Sequence, residues 1–428
     1  MAAKTHPLFE TPLPDGWKLV TTDDIKSPEK SSCVAGPFGS NISSKYFVDS
    51  GVPVIRGSSL RDDLTRFVPK GFVFVSEEQA TKYKAQHVRG GDLVFTCWGT
   101  VGQVGIIPNN GPFPEYIISN KQLTLRPTLE ISDPVYLFFY FAGPKMVQHA
   151  LGKAIGAAVP GINLGILKAL PVVLPPLPVQ RRIAGILSAY DELMENSQRR
   201  IRILEAMARA LYREWFVHFR FPGHEKHPRV ASPLGDIPQG WEVKKLGDLI
   251  SYNRRATKPG PHLDERRYVP IDCLPSKSLA LLEAKPIEEA QSSLQLFEKG
   301  DILFGSMRPY FHKVVVAPFA GVTRTTCFVF KPALPEWHAF ATMTAFEEAT
   351  VAYANAHSQG ATIPYAVWDG SLSEMPLALP PDAMLRRFEK AVAPMLARIS
   401  QSYFTLNNLR RTRDLLLPRL LAGQVNVT

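Results

Sequence analysis

Cysteine is scarce in this chain. Cys33, Cys97, Cys273 and Cys327 are the only four, widely separated and without a CxxC pair, so neither a disulfide framework nor a zinc site is signalled. Long apolar runs are missing as well. The longest uncharged one of note, residues 135–142 (VYLFFYFA), falls well short of the ~20 residues of a membrane span and reads as a buried helix. Residues 1–10 hold no apolar stretch, so no signal peptide is expected and the chain reads as cytoplasmic, with no membrane partner.

Catalytic signatures are equally absent. Amino-methyltransferases hold a flipped base with a Pro-Pro box that has a polar residue before it and an aromatic after it. Leu174-Pro175-Pro176-Leu177 and Leu379-Pro380-Pro381-Asp382 have neither. The glycines of Gly99-Thr100-Val101-Gly102-Gln103-Val104-Gly105 are spaced by three, which fits neither a dinucleotide fingerprint nor a phosphate-binding loop; the segment reads as a turn-rich hairpin. There is no HExxH, no GxSxG and no nuclease-type carboxylate cluster, and the ten histidines are isolated. No catalytic residue, resident cofactor or metal is therefore expected.

What is present is an ordinary globular composition. With 428 residues, 45% hydrophobic and 21% charged, a core is no difficulty and two or three domains are expected. The net charge of +10 and pI near 9.3 favour a polyanionic partner, nucleic acid being the commonest. An incidental basic surplus is the bland alternative.

The chain also repeats itself in order. Leu13-Pro14-Asp15-Gly16-Trp17 returns as Ile237-Pro238-Gln239-Gly240-Trp241, and Gly91-Asp92-Leu93-Val94-Phe95 as Gly300-Asp301-Ile302-Leu303-Phe304. Gly156-Ala157-Ala158-Val159-Pro160 returns as Gly360-Ala361-Thr362-Ile363-Pro364. Leu170-Pro171-Val172-Val173-Leu174 returns as Met375-Pro376-Leu377-Ala378-Leu379. A period of roughly 205 to 225 residues is too long for a solenoid and marks a duplicated domain plus helix.

Each copy ends in a long helical pattern. Ile183, Leu187, Tyr190, Met194, Ser197, Ile201, Leu204, Ala208, Leu211 and Trp215 alternate in steps of four and three, the heptad seam of a coiled coil. The same series lies 205 positions on: Phe388, Val392, Met395, Ile399, Ser402, Leu406, Leu409, Arg413, Leu416 and Leu420. Only Ala208 changes character, to Arg413. Two amphipathic helices that each cover their own domain are the alternative, but shared period, length and register favour an antiparallel pair. A seam of about 32 residues spans roughly 50 Å, which would make the pair a ruler between two globular domains.

The globular copies mix short β-rich runs, such as 71–75 and 313–316, with apolar helical stretches at 135–150 and 337–355. The fold class is α+β: two globular domains separated by a pair of long antiparallel coiled-coil helices, with pseudo-two-fold internal duplication. The boundaries read as residues 1–177 (first domain), 178–220 (first helix), 221–236 (linker), 237–383 (second domain) and 384–428 (second helix and tail). Between the landmarks the copies differ. The first carries Gly36-Pro37-Phe38-Gly39-Ser40, whereas the second has Arg254, Arg255, Lys258, Arg266 and Arg267 within fourteen positions, partly offset by Asp264 and Glu265. Like frames with unlike loops suit two domains that read different targets.

This layout resembles the specificity (S) subunit of type I restriction-modification systems, over essentially the whole chain. The most telling phrases are residues 174–183 (LPPLPVQRRI), 211–221 (LYREWFVHFRF) and 415–425 (LLLPRLLAGQV). The 36–40 box and the 300–304 phrase followed by Arg308-Pro309-Tyr310 add to them. Val179 and Gln424 stand where the family often has an acid, and the 36–40 box has no second copy. The resemblance implies a non-catalytic reader of double-stranded DNA, each domain contacting one half of a split, asymmetric site and the helix pair fixing the unread spacer. Two modification subunits, which bind S-adenosylmethionine and methylate adenine, would dock on it, and restriction (motor-nuclease) subunits would join for cleavage.

Phosphates are met by Lys and Arg on loops, and base edges by Arg, Asn, Gln or an aromatic. On that basis the first copy offers Lys45, Tyr46, Arg56, Trp98, Asn120 and Lys121. The second offers Arg254, Arg255, Lys258, Arg308, Tyr310, His312, Lys313 and Arg324. Trp98 and Arg308 both follow the repeated Gly-Asp strand and are expected on corresponding loops. Trp17 and Trp241 recur and read as frame. Two other classes of function compete: a coiled-coil scaffold with protein-binding ends, and a DNA methyltransferase or nuclease acting alone.

Overall fold

The chain forms two units, Met1–Asp191 with Arg411–Thr428, and Glu192–Arg410. The computed structural model describes residues 5–156, 159–291 and 293–427; Ala157 and Ala158 of the third repeated phrase lie outside the described residues.

The repeated phrases are turn chemistry. Trp17 donates its N–H to the Pro14 carbonyl and Trp241 to that of Pro238, each at 3.1 Å, with Gly16 and Gly240 at φ +78° and +87°. That left-handed third position is where this kind of turn needs glycine. Each turn launches a strand that pairs antiparallel with the fourth phrase: Lys18–Thr21 with Pro171–Leu174 and Glu242–Lys245 with Pro376–Leu379. The Gly-Asp phrases work alike. Gly91 and Gly300 stand at φ +89° and +90°, and the carboxylates of Asp92 and Asp301 accept the N–H three residues back, from Arg89 at 3.0 Å and Glu298 at 2.8 Å.

Each unit has one antiparallel four-stranded sheet of the same order. In the first it runs Cys33–Ala35, Gln122–Leu125, Leu93–Thr96, Val104–Ile106; in the second, Ile250–Tyr252, Cys327–Pro332, Ile302–Gly305, Val314–Val316. The 99–105 glycine segment joins Leu93–Thr96 to Val104–Ile106 as a hairpin. A second sheet differs between the units. It has five strands, built around Val52–Ile55 and Glu115–Ile118 in parallel, in the first. In the second it has four strands, with Arg267–Tyr268 parallel to Gly321–Arg324. Helices Pro134–Ala142 and Pro144–Gly152 cover the first frame, His338–Phe346 and Glu348–Ala356 the second. Tyr136 to Phe141 are all buried, as the apolar run 135–142 requires. The four cysteines are buried thiols without disulfides.

The first long helix runs Leu177–Tyr212, followed by a π-type turn Arg213–Val217; the second runs Asp382–Leu421. Each is divided between the units. In the first unit Ile183 and Leu187 share a core with Leu417, Leu420 and Leu421, and Asp191 pairs with Arg413. In the second, Met194, Ile201, Ala208 and Tyr212 share a core with Phe388, Val392, Ile399 and Leu406; Tyr212, late in its helix, lies 6.3 Å from Phe388, early in the other. Within each unit the segments therefore run antiparallel. Tyr190, Leu204, Leu211, Leu409 and Leu416 are half-buried at the seam's flanks. The buried stripe is broader than a strict heptad seam, because Leu385, Leu396, Tyr403 and Leu417 are also buried. The helices pack on each other and on their own sheets at once.

Candidate nucleic-acid interface

In the first unit the structure gathers four of the six residues singled out there. Arg56, Trp98, Asn120 and Lys121 line one cleft of about 440 Å³, with Thr96, Thr100, Ser119 and Gln122 adding polar atoms. They come from separate places: Arg56 follows the strand Val52–Ile55, Trp98 opens the hairpin, and Asn120 and Lys121 form the turn between Glu115–Ile118 and Gln122–Leu125. All four are exposed. Lys45 and Tyr46 stand outside the lining, on the turn between Ile42 and Phe47, which do line it; the Lys45 ammonium lies 4.6 Å from the Tyr46 ring centre.

The 36–40 box braces this cleft. The Gly36 N–H donates to the Gln122 carbonyl at 2.9 Å, and a Cβ on Gly36 would stand 1.9 Å from the Ser119 carbonyl oxygen, so only glycine lets the strands approach. The Asn120 side-chain amide donates to the Gly39 carbonyl at 3.0 Å. Phe38 is 91% exposed. It was absent from the residues singled out above, although so bare an aromatic beside a basic cleft is a contact candidate. The signal was its place between Pro37 and Gly39, where no periodic element can bury it.

The second unit distributes its residues over two sheets. Arg255, Lys258 and Arg324 lie on or beside the sheet of Ala256–Thr257, Leu294–Phe297 and Gly321–Arg324. Arg308 and Tyr310 lie on the loop after Ile302–Gly305. Three arginines of the cluster pair with acids distant in sequence: Arg254 with Asp369, and Arg255 and Arg266 with one shared carboxylate, Glu298, at 3.3 and 3.1 Å. Lys313 donates to the Ile271 carbonyl at 2.8 Å. Tyr310 and Phe311 form an exposed ring pair with centres 4.7 Å apart.

One expectation is corrected. His312 is 3% exposed, and its Nε2 lies 2.8 Å from the Phe346 carbonyl. Burial pulls its pKa below the usual 6.5. It is a prop beneath the loop, not a contact residue. The loop is strained, since Arg308 and His312, neither a glycine, both stand at φ +51°, a conformation retained where surrounding structure enforces it and often at functional sites. Arg308 is anchored by its N–H to the Pro364 carbonyl at 2.7 Å. Among the described residues no group of His, Cys, Asp and Glu could hold a metal ion, and no helix is long and apolar enough to cross a membrane.

The family model for the type I restriction modification DNA specificity domain matches residues 14–206. The type I restriction enzyme MjaIX specificity subunit of Methanocaldococcus jannaschii is 23% identical over 438 residues, covering 97% of this chain and 95% of that protein. The chain is thus similar, over nearly its whole length, to a specificity subunit of a type I restriction-modification system. A shorter match links it to the HindI specificity subunit of Haemophilus influenzae, 23% identical over 141 residues, 31% of this chain and 29% of that one. The S subunit of M. genitalium shares the fold, with a TM-score of 0.55 at 14% identity over 94% of this chain and 96% of that structure.

In this chain the phrases that resemble that family are structural. The buried Gln180 amide accepts the Asp133 N–H at 2.9 Å and donates to the Ile131 and Pro175 carbonyls at 2.9 and 2.8 Å, pinning the helix start. Trp215, Phe216 and Phe221 pack on Trp241, Phe340 and Phe388. Such phrases build the frame.

Proposed function

We propose that this chain is a specificity subunit of a type I restriction-modification system, itself non-catalytic, and reads a bipartite, asymmetric double-stranded DNA site, one half through each unit. The observation that carries this is the cleft of the first unit, where two cations, an amide and an indole converge from three separate segments. Arg56 and Lys121 suit phosphates, Asn120 a base edge, and Trp98 an apolar sugar or thymine-methyl contact. Divergent second sheets on like frames supply two different readers. The helices common to both units set the unread spacer. Two modification subunits, carrying S-adenosylmethionine and the adenine-methylating chemistry, dock on the chain, and restriction subunits join them for cleavage.

The test is co-expression with the cognate modification subunit, followed by sequencing of adenine methylation in host DNA. A split motif with a fixed spacer is expected, and exchanging residues 13–177 for another such domain should change one half only. A competent modification subunit that binds this chain yet methylates no split motif would instead favour the scaffold.

A further inference from the structure

The two units carry the same backbone bridge beyond the repeated Gly-Asp strand. In the first, Trp98 bridges Gly161, and Ile162 donates its N–H to the Cys97 carbonyl at 2.9 Å. In the second, Met307 bridges Tyr365, and Ala366 donates to the Ser306 carbonyl at 2.8 Å. The adjoining bridges match too, Ile155 with Gly161 and Gln359 with Tyr365. Position for position, then, Trp98 corresponds to Met307, and Gly161 to Tyr365.

The aromatic ring has changed sides of the bridge. In the first unit the indole lies over Gly161, where a Cβ would meet its Cε3 at 2.3 Å, and 3.9 Å from the Cβ position of Gly156. In the second, the ring comes from the opposite residue: Tyr365 Cδ2 lies 4.0 Å from the Cβ position of Gly360. Gly156 and Gly360 are themselves equivalent, left-handed at φ +96° and +104°. The two rings thus lie beside the same glycine of the frame, and their exposures are 41% and 40%. A core ring would be covered; two half-exposed rings kept at one place by different residues point to a surface that needs an aromatic face.

We infer that Tyr365 is a specificity-determining residue of the second unit, the counterpart of Trp98. It presents its ring to the sugar or thymine-methyl surface of the DNA half-site which that unit reads. This rests on the DNA-reading function proposed above. Met307 is the small change that makes room for the exchange, and Arg308, hydrogen-bonded through its N–H to Pro364, is positioned next to the ring by the same bridge.

The test uses the complex with the modification subunit and two readouts, the methylated motif and equilibrium binding to a duplex carrying the wild-type site. Tyr365→Ala should weaken binding about tenfold, in line with the loss of one aromatic contact, and relax the motif at positions of one half only. Trp98→Ala should relax the other half. Tyr365→Phe should retain both affinity and motif. The double variant Met307→Trp with Tyr365→Gly, which rebuilds the first unit's arrangement, should recover affinity. The bridge and its neighbour are made by backbone groups alone, Arg308 N–H to Pro364 at 2.7 Å and Ala366 N–H to Ser306 at 2.8 Å in the one, and Gln359 with Tyr365 at 2.7 and 2.8 Å in the other, so the thermal midpoint of Tyr365→Ala should stay near wild type. If the wild type gives a split motif while Tyr365→Ala alters neither affinity nor either half, the inference is wrong; so too if both halves degrade together with a lowered midpoint. A wild-type complex with no split motif overturns the DNA-reading function itself.

Discussion

At the scale of single residues, a contact and a prop can look alike in sequence. His312 sits in Arg308-Pro309-Tyr310-Phe311-His312-Lys313, as inviting a DNA-facing run as Trp98 to Lys121. Its burial depends on the carbonyl of Phe346, 34 positions away, and no local pattern announces that. The same burial gives a pH signature. With its folded pKa below 6.5, His312 takes up a proton more readily when unfolded, so its stabilising share is complete above about pH 6.5 and is lost as pH falls below it. Denaturant titrations at about pH 7.5 and about pH 5 should show wild type losing more stability than His312→Gln across that interval. Equal losses would mean the imidazole is not the titrating group. The 36–40 box and Asn120 as a polar contact candidate were legible, but their union through the Gly39 carbonyl required knowing which strands adjoin.

Among the elements, the long helices were the most legible, because a heptad period needs no partner to be seen. The one broken position proves informative. Arg413 is buried and pairs with Asp191 at 3.0 Å, while Arg66 reaches the same carboxyl at 3.3 Å. Desolvation still holds Asp191 above its usual pKa. The equivalent places in the second unit are Ala208 and Leu396, both buried in its apolar core. One unit therefore uses an ion pair where the other uses a small and a large apolar residue. Removing one member of a buried pair typically costs about 3–5 kcal/mol, whereas replacing both with packed apolar groups is often neutral or better. Chemical denaturation should show Arg413→Ala strongly destabilised and Asp191→Leu with Arg413→Ala near wild type. If the double variant is no better than the single, the pair contributes more than mutual neutralisation. Asp191 was invisible as a partner because it lies on the other helix, 222 residues away.

For the molecule as a whole, duplication, basic charge and divergent loops were all readable, since they are properties of the string. The contents of the interface were only half readable, because its residues converge from separated strands. A surplus of ten positive charges should make DNA affinity fall linearly with salt on logarithmic axes, by about 0.9 per phosphate contacted. Lys121→Gln should lower that slope by about one, whereas a salt-independent affinity would remove phosphate contacts from the account. The two units also differ in how they are cut from the chain. The second is one continuous segment, 192–410, whereas the first needs 411–428 as well as 1–191, with Leu417, Leu420 and Leu421 filling its core. On the ribosome, where domains generally fold as they emerge, the first unit to begin is the last to finish. Its unfinished core must wait through the synthesis of the whole of the other, so a chain ended after Arg410 and released from the ribosome would hold a complete second unit and an incomplete first.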